Sequence, residues 1–208
     1  MAYSSFTLQK VMQDFGITVA TADDLFGRIP PSPIGETARR TVEDNLQLAL
    51  IIGNEKARSE LIVAPVLADL WRQSGRRISL YSGVALDVDP EHGLNGVCDY
   101  LIGRSPQLPE MLTPPFFVVV EAKKDDILGS HGQCAAEMIA ALRMNAQSGS
   151  GVETIHGCVT TGTNWKFLTL RGAHLDIDAA EYPLAQLDRI FGILMHMVGV
   201  TPQTTVAA

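Results

Sequence analysis

With 208 residues, 46% hydrophobic and 19% charged, the chain has the composition of a folded protein with one substantial core and not of a disordered tail. Its formal net charge of −7 argues against coating nucleic acid by bulk charge, while leaving a local cationic strip or a metal as a means of meeting it. No apolar run approaches the ~20 residues of a membrane span, and MAYSSFTLQK lacks the basic-then-apolar pattern of a signal peptide, so a soluble, cytoplasmic protein is expected.

Residues 6–15 place Leu8, Val11, Met12 and Phe15 on one side of a short amphipathic helix. The stretch GRIPPSPIGE that follows is broken by three prolines and two glycines and predicts a loop. Residues 1–35 therefore read as an N-terminal helical arm and 36–208 as the domain proper. From Glu36 the pattern is helical, with Val42, Leu46, Ala49 and Leu50 facing one way until Gly53. A second helical run, EKARSELIVAPVLADLWRQSG, carries Pro65, which should kink it or open a new first turn. After Gly75 the period changes to two: RRISLYSGVALDVDP predicts a strand with an irregularity at Gly83, and the turn-rich DPEHGLNG closes it. VCDYLI and FFVVVEAK are two further strands; Gly132–Asn145 is a helix with Cys134, Met138, Ala141 and Leu142 on its apolar stripe. GCVTTGTNWKFLTL reads as strand, tight turn, strand, and Pro183–Val198 as a closing helix. Three consecutive strands predict an antiparallel meander and the helix after them a crossover, which gives an α/β protein with a mixed central sheet flanked by helices.

The three cysteines, Cys98, Cys134 and Cys158, have neither CxxC spacing nor an even count, and each is expected to be a small buried side chain. The chemistry concentrates instead at the end of FFVVVEAKK. Glu121 and Lys123 share a face of their strand because side chains alternate, and the all-apolar run before them marks a central strand whose end carries a charged pair. In the preceding strand Asp99 lies on one face with Val97 and Leu101, where a carboxylate needs a cation or several donors. If the two strands form a hairpin, Asp99 and Glu121 meet, and a divalent ion such as Mg²⁺ is the usual remedy for two carboxylates in one site. The competing reading is that both acids merely neutralise Lys123, Lys124 or Arg104. Gln133 and Glu137, four apart, share one helical face and either reach the site or bond only each other. His131 is expected at the surface, and Trp165 in the core.

A strand with Asp, a strand ending in Glu-x-Lys, and a helix beginning near a glutamine resemble the PD-(D/E)xK nuclease superfamily. CDYLIG, VVVEAKK and GQCAAEM hold the three motif positions in order, and NEKARSELIVAPVLADLW is similar to the N-terminal helix of type I restriction enzyme nuclease domains. The resemblance covers roughly Thr41–Leu170. It implies a restriction-endonuclease-like three-layer core and Mg²⁺-dependent hydrolysis of DNA, with Mn²⁺ as a substitute ion. It implies Asp99, Glu121 and the Ala122 carbonyl as metal ligands, Lys123 as the catalytic lysine, and Gln133 as the glutamine some branches place after the motif. It also implies an acidic residue on the preceding helix: Glu60, nearer the apolar LIVAPVL, is favoured over Glu55. Asp99 follows Cys98 where many members have proline.

An active site of this kind should be open to solvent with a cationic rim, and a homodimer would supply two sites for two strands. The alternative is the same fold kept as a catalytically inactive binding or regulatory module. An unrelated small-molecule hydrolase has no support, since GxSxG and a phosphate-cradling glycine loop are both missing.

Overall fold

Between Ser79 and Ala122 the period-two pattern becomes three antiparallel strands, and the longer periods on either side become helices laid over both faces of the sheet they start. A computed structural model describes residues 2–104 and 111–199. In chain order the elements are α1 (Leu8–Phe15), β1 (Thr18–Ala22), α2 (Glu36–Ile52), α3 (Glu55–Arg58), α4 (Ala64–Gln73), β2 (Ser79–Ala85), β3 (Val97–Gly103), β4 (Phe116–Ala122), α5 (His131–Gln147), β5 (Thr154–Thr160), β6 (Asn164–Arg171), β7 (His174–Asp178), β8 (Tyr182–Pro183) and α6 (Leu187–Met197).

The sheet is open and mixed, ordered β1-β7-β6-β5-β4-β3-β2, with the short β8 paired to β6. The β2–β3–β4 meander is antiparallel, and α5 crosses over to set β5 parallel to β4. The β5–β6 hairpin turns at Gly162, whose φ of 77° belongs to the left-handed region that glycine enters freely. Alternation then divides the side chains. Val118, Val120, Trp165 and Phe167 pack with α2, α4 and α6 on one face, while Leu101, Val119, Val159 and Leu168 pack with α1 and α5 on the other. The architecture is therefore an α/β protein with a central open mixed sheet flanked by helices. Among the described residues no helix is long and apolar enough to cross a membrane.

Residues 1–35 contribute more than a helical arm. Tyr3, Phe6 and Val11 are buried in the α5-side core, and β1 pairs in parallel with β7 at the sheet edge. Neither β1 nor β7 was expected from the sequence.

The run EKARSELIVAPVLADLWRQ is one continuous helical path that loosens to a π turn over Ser59–Val63 before α4. Pro65 sits in the first turn of α4 and has no N–H to donate. The carbonyl of Leu61, four residues earlier, instead accepts from Asn45 Nδ2 of α2 at 3.4 Å. Proline thus reshapes the helix without ending it.

Two features fix α5 against the sheet. A side chain at Gly157 in mid-β5 would come within 2.5 Å of Met138 Sδ, so the glycine lets α5 lie directly on β5. At the other end, buried Asn145 accepts from Phe116 N and donates to Phe116 O, both at 2.8 Å, which clamps α5 to the first residue of β4. Asn145→Ala leaves two buried backbone groups unpaired and is expected to cost about 2–5 kcal/mol, read as a lower urea midpoint with the m-value unchanged.

Candidate functional site

The β3–β4 register pairs Tyr100 with Val120 and Leu101 with Val119, so the next rung sets Asp99 against Glu121 on the α5 face. Asp99 Oδ2 accepts the backbone N–H of Ala122 at 2.8 Å, which fixes the carboxylate at the end of β4. The chain then continues the parallel ladder for one more bond, Lys123 N to Thr160 O at 2.7 Å. That bond holds Lys123 beside Glu121, and their side chains meet at 2.5 Å. Glu121 Oε1 also accepts from Gln133 Nε2 of α5 at 2.5 Å, while Glu121 Oε2 is buried with no hydrogen-bond partner. Asp99, Glu121, Ala122, Lys123 and Gln133 are thus brought together.

Glu60 is not among them. It pairs with Lys56 at 3.1 Å on the exposed side of its helix. The helical carboxylate near the site is Glu55, with Oε2 3.8 Å from Lys123 Nζ. Apolar neighbours favoured Glu60, but helix phase decides the matter. Asn54 caps α3 by accepting from Ala57 N, and that places Glu55 in the first turn, next to the end of β4.

The site's electrostatics follow from burial. Glu121 is 1% exposed; burial, with Asp99 adding repulsion, pushes its pKa up to about 7 against the pull of Lys123. Burial likewise raises Asp99. Burial alone would lower Lys123, but the Glu121 carboxylate outweighs it and the ammonium is held above its ordinary value.

Behind this layer lies a group whose role the sequence left open. Glu137 is fully buried on α5, and burial, reinforced by Glu121, holds its pKa well above the ordinary carboxylate range. Gln133 Nε2 donates to Glu121 Oε1 and, at 3.1 Å, to Glu137 Oε1. Both amide hydrogens are then used, which fixes the amide's orientation and links the two acids through one side chain. The Gln-x-x-x-Glu spacing was the sequence signal for this chain of contacts.

His131 was expected at the surface but opens α5 almost fully buried, with Nε2 unpartnered. Burial, then the charge of Lys166, brings its pKa down to about 4 from an ordinary 6.5. The unfolded chain gains a proton below pH 6.5 that the fold refuses until about 4, so stability falls across that window as pH falls. Relative to His131→Leu, the wild type is expected to lose about 2 kcal/mol between pH 7 and pH 5, measured by urea denaturation at each pH.

The open site with a cationic rim does not appear. Glu121 is enclosed, Lys123 is turned onto it, and the adjoining shallow groove mixes Arg58, Lys124 and Thr161 with Asp125, Asp126 and Glu181. Among the described residues there is no group of three or more His, Cys, Asp or Glu set to hold a metal ion. The donors on these facing strands are hard oxygens: the Asp99 carboxylate, bonded to the Ala122 N–H, and the unpartnered Glu121 Oε2. That is the chemistry of a Mg²⁺ ligand pair completed by water and phosphate. Trp165 is buried, as expected, and all three cysteines are buried and free. The chain matches no protein-family model and no curated protein at a significant level.

Proposed function

We propose that the chain is a metal-dependent nuclease that hydrolyses DNA phosphodiester bonds on a restriction-endonuclease-like core. One observation carries the reading: the β3–β4 hairpin sets Asp99 against Glu121 and turns Lys123 onto the same face, while one oxygen of the buried Glu121 lacks any partner. Asp99 and Glu121, with the carbonyl of Ala122, would hold Mg²⁺ or Mn²⁺, which when bound lowers the pKa of water and neutralises charge on phosphate. The chain's own residues do the rest. Gln133 holds the Glu121 carboxylate in one orientation. Lys123, kept protonated beside it, supplies a fixed positive charge where a phosphate develops negative charge in the transition state.

The reading is tested by incubating plasmid, linear and single-stranded DNA with the protein in Mg²⁺ or Mn²⁺, beside a chelator control. Cleavage that disappears in chelator supports it. A folded wild type that cuts none of the substrates overturns it in favour of an inactive nuclease-fold binding module. That second reading draws on the enclosure of Glu121 and its pairing with Lys123.

A further inference from the structure

The cations missing from the rim of the site gather at the other end of the same strands. β2 and β3 pair Ser79 with Gly103, which brings Arg77, just before β2, alongside Arg104, just after β3. Arg72 lies in the last turn of α4 and Arg76 two residues past its cap, Ser74, ahead of β2. All four arginines are exposed. Arg72 is paired with Asp69 at 3.0 Å, but Arg76, Arg77 and Arg104 form no ion pair with any described residue.

Their placement is defined. Arg76 has a left-handed φ of 60°, follows Gly75 at 68°, and closes the helix by donating its N–H to Trp71 O at 3.1 Å. This turn lays its guanidinium over the Trp71 ring, 5.0 Å from the centroid. Arg104 lies over Phe117 at 5.2 Å in the same way, and Arg77 Nε donates to Ser74 O at 2.8 Å. Each planar group has one face or edge fixed and keeps its other N–H donors for an oxyanion. In a protein with a net charge of −7, such an unpaired arginine group is a local exception to the overall charge.

We infer that this arginine end, built from Arg76, Arg77 and Arg104 with Trp71 and Phe117, is a binding surface for the phosphodiester backbone of DNA. Flat guanidinium groups match phosphate oxygens, and each guanidinium held flat on a ring turns its outer face to solvent, where a base can stack on it. The inference rests on the DNA-directed reading of the site already described. β2 is an edge strand, with β3 and β4 next to it. The arginines stand where β2 and β4 begin and β3 ends, whereas Asp99 and Glu121 stand where β3 begins and β4 ends. Seven residues of strand separate the two ends, about 20 Å at roughly 3.3 Å per residue. The arginines lie with Trp71 and Phe117 on the α4 side of the sheet, and Asp99 and Glu121 on the α5 side, so DNA held by the patch would pass round the β2 edge to bring a phosphate to Lys123.

The test is fluorescence anisotropy with labelled 20-mer duplex and single-stranded DNA in chelator, so that binding is read without cleavage, from 50 to 200 mM KCl. The proteins are wild type, Arg76→Gln/Arg77→Gln/Arg104→Gln, and the single variant Arg77→Glu, with circular dichroism as the check on folding. The triple variant is expected to bind at least tenfold more weakly at 100 mM KCl. Its salt slope, −dlogK/dlog[KCl], should be lower by about 2–3, one phosphate contact for each arginine removed. Arg77→Glu alone should weaken binding severalfold. Unchanged affinity and slope in a folded triple variant would overturn the inference, as would wild-type binding to phosphatidylserine vesicles that is stronger than to DNA. Mg²⁺-dependent cleavage, measured separately on the same proteins, reports on the site itself: loss of all wild-type cleavage sinks the nuclease reading, and loss of the binding difference sinks only the patch.

Discussion

Lys123→Ala is expected to reduce Mg²⁺-dependent DNA cleavage by about a hundred- to a thousandfold, the usual loss when one preorganised charge donor is removed from a transition state. The effect has two sources. The ammonium that would meet the phosphate is gone. Glu121 also loses the only cation in contact with it among the described residues, leaving burial and Asp99 to drive its carboxyl further toward the neutral form. A neutral Glu121 is a poor ligand for a hard cation. Single-turnover cleavage should fall while the far-ultraviolet spectrum stays unchanged, because Lys123 lies just beyond the end of β4 and its backbone bond to Thr160 is kept. Asp99→Ala is expected to do the same through the metal. If Lys123→Ala cleaves at the wild-type rate, Lys123 has no part in the chemistry.

The second large effect belongs to Glu137. It is buried without a cation, so its carboxyl favours the protonated form. Glu137→Gln keeps the acceptor for Gln133 and removes the titration, so it should cleave DNA like the wild type. It should also be more stable at high pH. The folded wild type keeps a proton that the unfolded chain releases as pH rises above the ordinary value of 4.5, so the stability linked to Glu137 is complete below that pH and declines above it. The gap between Glu137→Gln and wild type should therefore widen from pH 5 to pH 8, read as a rising Tm difference at roughly 2–4 °C for each kcal/mol. Glu137→Leu removes the acceptor and leaves Gln133 free to turn from Glu121; its cleavage should fall at least tenfold with KM little changed. If Glu137→Gln is as inactive as Glu137→Leu, the charge of Glu137 is needed and its role is not the one derived from Gln133.

The sequence made the middle of the fold readable for a simple reason. From Ser79 to Arg171 a glycine, proline or asparagine lies near at least one end of each strand, β2 alternates and β4 opens on five apolar residues, so the meander, the crossover helix and the β5–β6 hairpin follow from periodicity and breakers. The juxtaposition of Asp99 and Glu121 followed from the same pattern once the hairpin was assumed. β1 escaped because TVATA is short, half-polar and next to the proline-rich loop, and an edge strand needs only one apolar face. β7, HLDID, escaped because it too is short and alternates polar with apolar residues. Glu55 and Glu60 could not be separated because the choice depends on where the helix starts, and the Asn54 cap that sets it is a one-residue signal. The enclosure of Glu121 was illegible too: it arises from Gln133 reaching across from α5, a contact between elements that local pattern cannot rank.

The pairing of β1 with β7 carries a consequence for the order of assembly. Thr18 lies opposite His174, and the two residues are 156 positions apart. On the ribosome, at about 5–20 residues per second, β1 waits on the order of ten seconds or more for its partner to be made. The β2–β3–β4 meander, whose contacts are local, faces no such delay and is placed to collapse first. The strand that emerges early is therefore among the last to join the sheet, and until it does β7 has an unpaired edge. In TVATA only Val19 is a large apolar side chain, which keeps that waiting segment weakly apolar and limits its tendency to pair with another nascent chain in the interval.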